Sequence, residues 1–303
     1  MAEPFDPDAY TKGFSITAPY HRTIYPSVAP TNPALSFRGK VVLITGASRN
    51  VGRGIAPTWA AAGAAGIVVT ARKVESLDAV TQDIKAAGAA TEVLAVACDV
   101  RSDASVQALF AAIKEKFGRL DVVIANAGIM GQGAAFPKIG EGDAEAWWDD
   151  INTNIRGTHL TAHHYIATFG AAGTFVSLTS GAAALTLPGM SSYAIAKHAC
   201  IRIVEFLAAE HPSLRAFALN PGIVKDTDTV PAFRPFALDT VELIGGFALW
   251  LASGRADGVK GGYVSVNWDV DVLERNADVI REKGLLGTAF LNVKFGAEGS
   301  VFE

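Results

Sequence analysis

Val41-Val42-Leu43-Ile44-Thr45-Gly46-Ala47-Ser48-Arg49-Asn50-Val51-Gly52, running on into Gly54-Ile55-Ala56, is the stretch that decides how this chain folds. Its first four residues are a short apolar run rich in β-branched side chains, the mark of a parallel strand buried on both faces. The turn follows, and a helical stretch then reaches about Ala62. A glycine-rich turn from strand to helix lets backbone N–H groups and the helix N-terminus face a pyrophosphate. The spacing is Thr-Gly-x-x-x-x-x-Gly, with Asn50 where a middle glycine is the usual choice. Asparagine tolerates the left-handed conformation, so the turn survives the change. With a strand before it and a helix after it, the stretch is expected to bind a nucleotide.

Outward from this turn, apolar strands alternate with amphipathic helices. Strands are expected near 41–45, 66–71, 92–97, 121–126, 173–178, 214–219 and 262–266. Helices are expected near 52–62, 75–87, 103–117, 144–169, 191–210 and 240–252, with a charged helix near 271–283. That alternation specifies a parallel sheet with helices on both faces, a single-domain, Rossmann-like α/β architecture. Residues 1–37 form an arm rich in proline and aromatic side chains, expected to lie extended over the domain or a partner subunit. Residues 38–268 form the dinucleotide-binding and catalytic domain, and 269–303 a C-terminal extension. The apolar run Leu285–Leu291 needs burial and is expected to cover the substrate mouth or a subunit contact.

Composition excludes several classes. At 303 residues and 50% hydrophobic, the chain can bury one large core. A net charge of −4 and the lack of any Lys/Arg-rich run give no footprint for nucleic acid. Two cysteines, Cys98 and Cys200, are too few for a disulfide framework and suit a reduced, cytoplasmic setting. The uncharged stretch Gly54–Ala71 is long enough to raise the question of a membrane span. Pro57, Gly63 and Gly66 divide it into helix, turn and strand, so none is expected. The N-terminus lacks the basic and apolar regions of a secretory signal. His159 and His163 share a helix face, but no third ligand of suitable spacing follows, and no metal site is expected.

Chemistry concentrates around Tyr193-Ala194-Ile195-Ala196-Lys197. This spacing puts a phenol and an ammonium on one helix face, one turn apart. A cation that close favours the phenolate. Beside a carbonyl, such a tyrosine donates a proton as hydride arrives or takes one as hydride leaves. Ser180, upstream, offers a second hydrogen bond to the same oxygen.

Taken together, Thr45-Gly46-Ala47-Ser48…Gly52, Cys98-Asp99-Val100, Asn126-Ala127-Gly128, Asn154, Ser180, Tyr193…Lys197 and Asn220-Pro221-Gly222 resemble the short-chain dehydrogenase/reductase family, in its order and roughly its spacing. The resemblance covers about Phe37 to Val266 and implies a doubly wound sheet of about seven strands in the order 3-2-1-4-5-6-7. It implies that Tyr193 is the general acid or base, that Lys197 holds the nicotinamide ribose and that Ser180 orients the substrate oxygen. Asn154 would kink its helix and hold a proton-relaying water. Gly46, Ser48, Arg49, Asn50, Val51 and Gly52 would surround the pyrophosphate. Asp99 and Val100 would meet the adenine, with Asn126, Ala127 and Gly128 admitting the cofactor backbone. Pro221, Gly222 and Val224 would border the nicotinamide. Oligomerisation through the helices of Asn154 and Tyr193, as a homodimer or homotetramer, is likewise implied. The family's usual C-terminal glycine pair is replaced by Asn267-Trp268-Asp269, which weakens transfer of a tetramer contact.

The second strand ends Thr70-Ala71-Arg72 with no acid to bind a ribose 2′-hydroxyl. Arg49 and Arg72 instead offer two guanidiniums for a 2′-phosphate, which favours NADP(H). Leu185, Leu187, Met190, Val230, Phe233 and Phe236 lie in the two variable segments expected to shape the substrate pocket. The expected function is NADPH-dependent reduction of a ketone or aldehyde of a mainly apolar small molecule, or the reverse oxidation. The alternatives are an isomerase, dehydratase or cyclase with bound NADP(H), and a non-catalytic nucleotide-sensing protein.

Overall fold

The structure is a computed structural model that describes residues 5–131 and 136–289. Seven parallel strands form one sheet in the order β3-β2-β1-β4-β5-β6-β7. They are β1 (Val41–Ile44), β2 (Gly66–Ala71), β3 (Glu92–Ala97), β4 (Val122–Ala125), β5 (Thr174–Leu178), β6 (Arg215–Asn220) and β7 (Tyr263–Ser265). The order reverses between β1 and β4, so the carboxyl ends of these two strands open the crevice where ligands bind in such sheets.

Strand β1 explains the two-sided core. Its side chains alternate between the faces of the sheet, yet all four are essentially inaccessible. Val42 and Ile44 join Ile55 and Trp59 of α2 (Asn50–Ala61), Val80 and Ile84 of α3 (Asp78–Ala87), and Phe247 of α8 (Val241–Ala252). Val41 and Leu43 join Phe110 of α4 (Asp103–Phe117), Tyr165 of α6 (Gly157–Phe169) and Val204 of α7 (Ser191–Glu210). A continuous apolar strand is what burial on both faces demands.

Two expectations are corrected, and a third is narrowed. The single helix over 144–169 is α5 (Ala144–Ile151), a π-helical turn (Asn152–Arg156) and then α6. The inserted π-helical turn falls at Asn154, the residue expected to kink this helix. The charged helix near 271–283 divides at Asn276 into α9 (Val270–Arg275) and α10 (Ala277–Lys283). The start of Leu285–Leu291 does not lie at the cleft described below. Leu286 accepts from the Tyr263 amide (2.9 Å), and the Thr288 amide donates to Glu205 (2.6 Å), which packs this segment beside β7 and α7. Phe290 and Leu291 lie outside the described residues.

The arm is not simply extended. It contains α1 (Ala9–Gly13) and short 3₁₀ turns at Pro26–Val28 and Pro33–Leu35, and buries Val28, Leu35 and Phe37. Phe37 meets Trp59 edge-on, with centroids 4.7 Å apart. No described helix is long and apolar enough to cross a membrane.

Candidate active site

The glycine turn is fastened to the end of β4 by Asn126. Its Nδ2 donates to the carbonyls of Thr45 (2.8 Å) and Gly46 (3.1 Å). In return the Thr45 hydroxyl accepts from the amides of Asn126 (3.1 Å) and Ala127 (3.0 Å). Gly46 holds φ at 65°, and a Cβ there would fall 2.8 Å from Ala127 Cα, so no larger residue fits. Asn50, at φ 49°, supplies the left-handed residue as α2 begins.

The π-helical turn aims Asn154 inward. Its side chain is fully buried, and Nδ2 donates to the carbonyls of Ile129 (2.8 Å) and Asp150 (2.9 Å). Its Oδ1 is buried without a hydrogen-bond partner. A Cβ on Gly128 would lie 2.5 Å from that oxygen and 3.1 Å from Lys197 Nζ, so the backbone of Asn126-Ala127-Gly128 runs directly over both groups. Lys197 is 6% exposed, and its Nζ donates to the Leu178 carbonyl (2.9 Å) and stands 5.7 Å from the Tyr193 ring centroid. Ser180 Oγ accepts from the Ala182 amide (3.2 Å), capping the short turn Gly181–Ala184.

Asn220 joins the two halves of the site. Its Oδ1 accepts from the amides of Gly181 and Gly222, both at 3.2 Å, tying the Ser180 turn to Pro221-Gly222. Asp150 is a second buried fastening. It accepts from the Ser192 hydroxyl (2.6 Å), next to Tyr193, and from the Gly131 amide. Burial pushes its carboxyl above the usual range, with these two hydrogen bonds acting in the opposite direction.

One cleft of about 930 Å³ is lined by eight of the candidate residues. Arg49, Asn50, Arg72, Gly128, Ser180, Tyr193, Gly222 and Val224 all line it. Lys197, Asn154, Gly46, Gly52, Asn126 and Ala127 stand behind this lining and position it. Asp99 and Val100 are outside the lining: Asp99 is held by a forked pair with Arg101 (2.8–3.2 Å), and Val100 is buried against Gly157. The Arg101 guanidinium holds the Asp99 carboxyl below its ordinary value. Ser48, Val51 and Pro221 flank the lining residues in sequence without entering it themselves. Arg49 is met by Asp228 (3.1 Å), which also accepts from Asn50 Nδ2 (3.1 Å), so the segment after β6 touches the glycine turn.

That segment carries residues the sequence did not single out. Asp239, fully buried, accepts from the Ile223 amide (2.6 Å) and Asn267 Nδ2 (2.6 Å), and pairs with Arg22 Nε (2.7 Å). Its carboxyl is pushed above the usual range by burial, with Arg22 acting in the opposite direction. Tyr10 and Phe14 of the arm line the cleft as well. The aromatic and proline content of the arm signalled that it packs somewhere, and nothing in it signalled where. The three helical histidines form no metal cluster: among the described residues no group of three potential ligands converges, and His164 instead meets Asp103 (2.8 Å).

The donor set suits a dinucleotide. The N-terminus of α2 and the glycine turn meet the cleft at Arg49 and Asn50, two guanidiniums line the same region, and Asn154 keeps an unused buried acceptor beside Lys197.

Comparison with known proteins agrees. The family model described as short chain dehydrogenase matches residues 40–236. A short chain dehydrogenase of Monascus purpureus is 32% identical over 291 residues, covering 91% of this chain and 96% of the relative. One from Aspergillus terreus is 32% identical over 286 residues, covering 90% of this chain, which spans only 61% of that relative's length. Among solved structures, a short-chain type dehydrogenase/reductase from Mycobacterium marinum superposes with a TM-score of 0.69 at 25% identity, covering 77% of this chain and 96% of its own.

Proposed function

Because this chain belongs to the short-chain dehydrogenase/reductase family, we propose that it is an NADPH-dependent reductase of a ketone or aldehyde on a mainly apolar small molecule, or the corresponding NADP⁺-dependent alcohol dehydrogenase in reverse. The observation that carries this is the shared cleft: Tyr193 and Ser180 face the same space as the glycine turn, with the Lys197 ammonium close to the tyrosine ring. When bound, the nicotinamide supplies or accepts hydride at the carbonyl carbon. Tyr193 donates the proton to the carbonyl oxygen, and the Ser180 hydroxyl hydrogen-bonds that oxygen as negative charge develops on it. Lys197, anchored by the Leu178 carbonyl, keeps a positive charge near the phenol. Leu185, Leu187, Met190 and Val230 line the same cleft and give it apolar walls.

NADP(H) is favoured over NAD(H) because Arg72 and Arg49 line the cleft and β2 ends without an acid. Self-association is assigned to the outer face of α6 and α7, where His163, Ile203 and the 54% exposed Phe206 line an open concavity. Sedimentation of Phe206→Asp tests it, a shift to monomer being expected.

The deciding experiment follows loss of reduced-nicotinamide absorbance over a panel of carbonyl compounds. Tyr193→Phe should lower kcat by about 10²–10⁴-fold while NADPH still binds. A wild-type protein that binds NADPH yet oxidises it with no carbonyl would refute the redox assignment.

A further inference from the structure

We infer that the N-terminal arm is a resident wall of the substrate cleft, with Tyr10, Phe14 and Phe233 forming a subsite for a flat aromatic ring remote from the reacting carbonyl. This rests on the reductase function proposed above and adds to it the shape of the substrate.

Helix α1 places Tyr10, Thr11 and Phe14 in the lining that also contains Ser180 and Tyr193. Phe14 approaches the chemistry most closely: a Cβ on Gly181, the neighbour of Ser180, would lie 4.0 Å from Phe14 Cε2. Tyr10 lies against the segment after β6. Its ring meets Phe233 edge-on with centroids 5.7 Å apart and Phe236 at 4.8 Å with planes at 89°. Tyr10, Phe14 and Phe233 are each only partly buried, so each keeps ring surface free toward the cleft. Edge and face arrangements of this kind favour another aromatic ring over an aliphatic chain.

The wall is fixed in place. Arg22 Nη1 donates to Asp8 (2.6 Å) and to the Thr11 hydroxyl (2.7 Å), which holds α1 from both sides of its first turn. Its Nη2 donates to the Phe236 carbonyl (2.7 Å), and its Nε pairs with Asp239 (2.7 Å). Trp268 Nε1 donates to the Phe14 carbonyl (2.8 Å), and the His21 amide to the Asn267 carbonyl (2.7 Å). A wall anchored this firmly discriminates substrates, because a ring entering it finds surfaces already in position.

The test uses the full chain with two ketones, cyclohexanone and 2-acetylnaphthalene, in wild type, Tyr10→Ala, Phe14→Ala and Tyr10→Phe. Wild type should prefer the naphthyl ketone. The alanine variants should lose at least about tenfold more kcat/KM on it than on cyclohexanone, mainly through KM. Tyr10→Phe, which keeps the ring, should restore the preference. The Kd for NADPH should stay within about twofold of wild type in all of them. Calorimetric binding of 2-acetylnaphthalene to the NADP⁺-loaded protein is measured in parallel. Binding that Tyr10→Ala weakens upholds the subsite even if no ketone turns over, an outcome that would count against the reductase function alone. Equal losses on both ketones, no loss at all, or no binding of the naphthyl ketone by wild type overturns the inference.

Discussion

The Arg22 guanidinium of the N-terminal arm lies 2.7 Å from the fully buried Asp239 carboxylate, joining the arm to the segment after β6 beneath the turn at Gly222. A Cβ at Gly222, where φ is 74°, would collide with that carboxylate, so the turn, the acid and the arm are packed as one unit. Removing only the cation leaves a buried charge with two amide donors and no counter-ion. Arg22→Ala should therefore lower the unfolding free energy by about 3 kcal/mol. The double variant Arg22→Ala/Asp239→Asn should recover much of that loss, and denaturant unfolding of the full cycle measures both terms.

Asn154 gives a prediction with two readouts. Its Nδ2 satisfies the carbonyls of Ile129 and Asp150 inside a fully buried site. Asn154→Ala should cost about 1–3 kcal/mol of stability, the penalty for leaving buried acceptors unpaired. It should also reduce kcat more than it raises KM, because the side chain sits against Lys197 and Gly128 and not in the cleft lining. Steady-state kinetics beside thermal unfolding separate the two.

Cofactor choice is tested at the glycine turn. Arg49 pairs with Asp228, but the two side chains are 74% and 66% exposed, and ion pairs so exposed contribute little. A phosphate dianion should displace Asp228 readily. Arg49→Ala/Arg72→Ala should weaken NADPH about a hundredfold and NADH by less than about threefold. Asp228→Asn, which frees Arg49, should tighten NADPH. Fluorescence titration with both nucleotides reads these changes, and equal weakening of both would refute the NADP(H) assignment.

The buried carboxyl of Asp150 sets a pH dependence whose sign follows from burial. Its pKa is raised in the folded protein, so the folded state binds more protons than the unfolded one above the ordinary carboxylate value of about 3.9. Its contribution to stability is complete below that value and is lost as pH rises through the raised folded pKa. Asp150→Asn keeps a hydrogen-bonding side chain between Ser192 and Gly131 and cannot ionise. Its thermal midpoint should gain on wild type as pH rises through this window, and the two curves should converge in acid. Parallel slopes across that range would refute the assignment.

Local pattern made the scaffold legible. Val41–Ile44 is apolar at every position because both faces of β1 are covered, and the sheet order follows the family that its glycine turn resembles. Helix spacing put Tyr193 and Lys197 on one face, and the ammonium does stand near the phenol ring. The same reasoning ran 144–169 together as one helix, because a π turn adds a residue without disturbing the apolar pattern enough to be seen. It also left Asp150 unnoticed, since an acid on a charged helix reads as solvated until the fold buries it.

The chain's own order of residues determined the strand–turn–helix at Val41–Ala61 and the phenol–amine pair one turn apart, because both depend on neighbours within a few positions. Tertiary structure alone decided that Tyr10 and Phe14 enter the cleft, that Asp228 reaches Arg49, and that Arg22 finds Asp239. Those contacts join segments tens to hundreds of residues apart, and their partners are chosen by which surfaces the packed sheet brings together. No periodicity or local spacing records that choice.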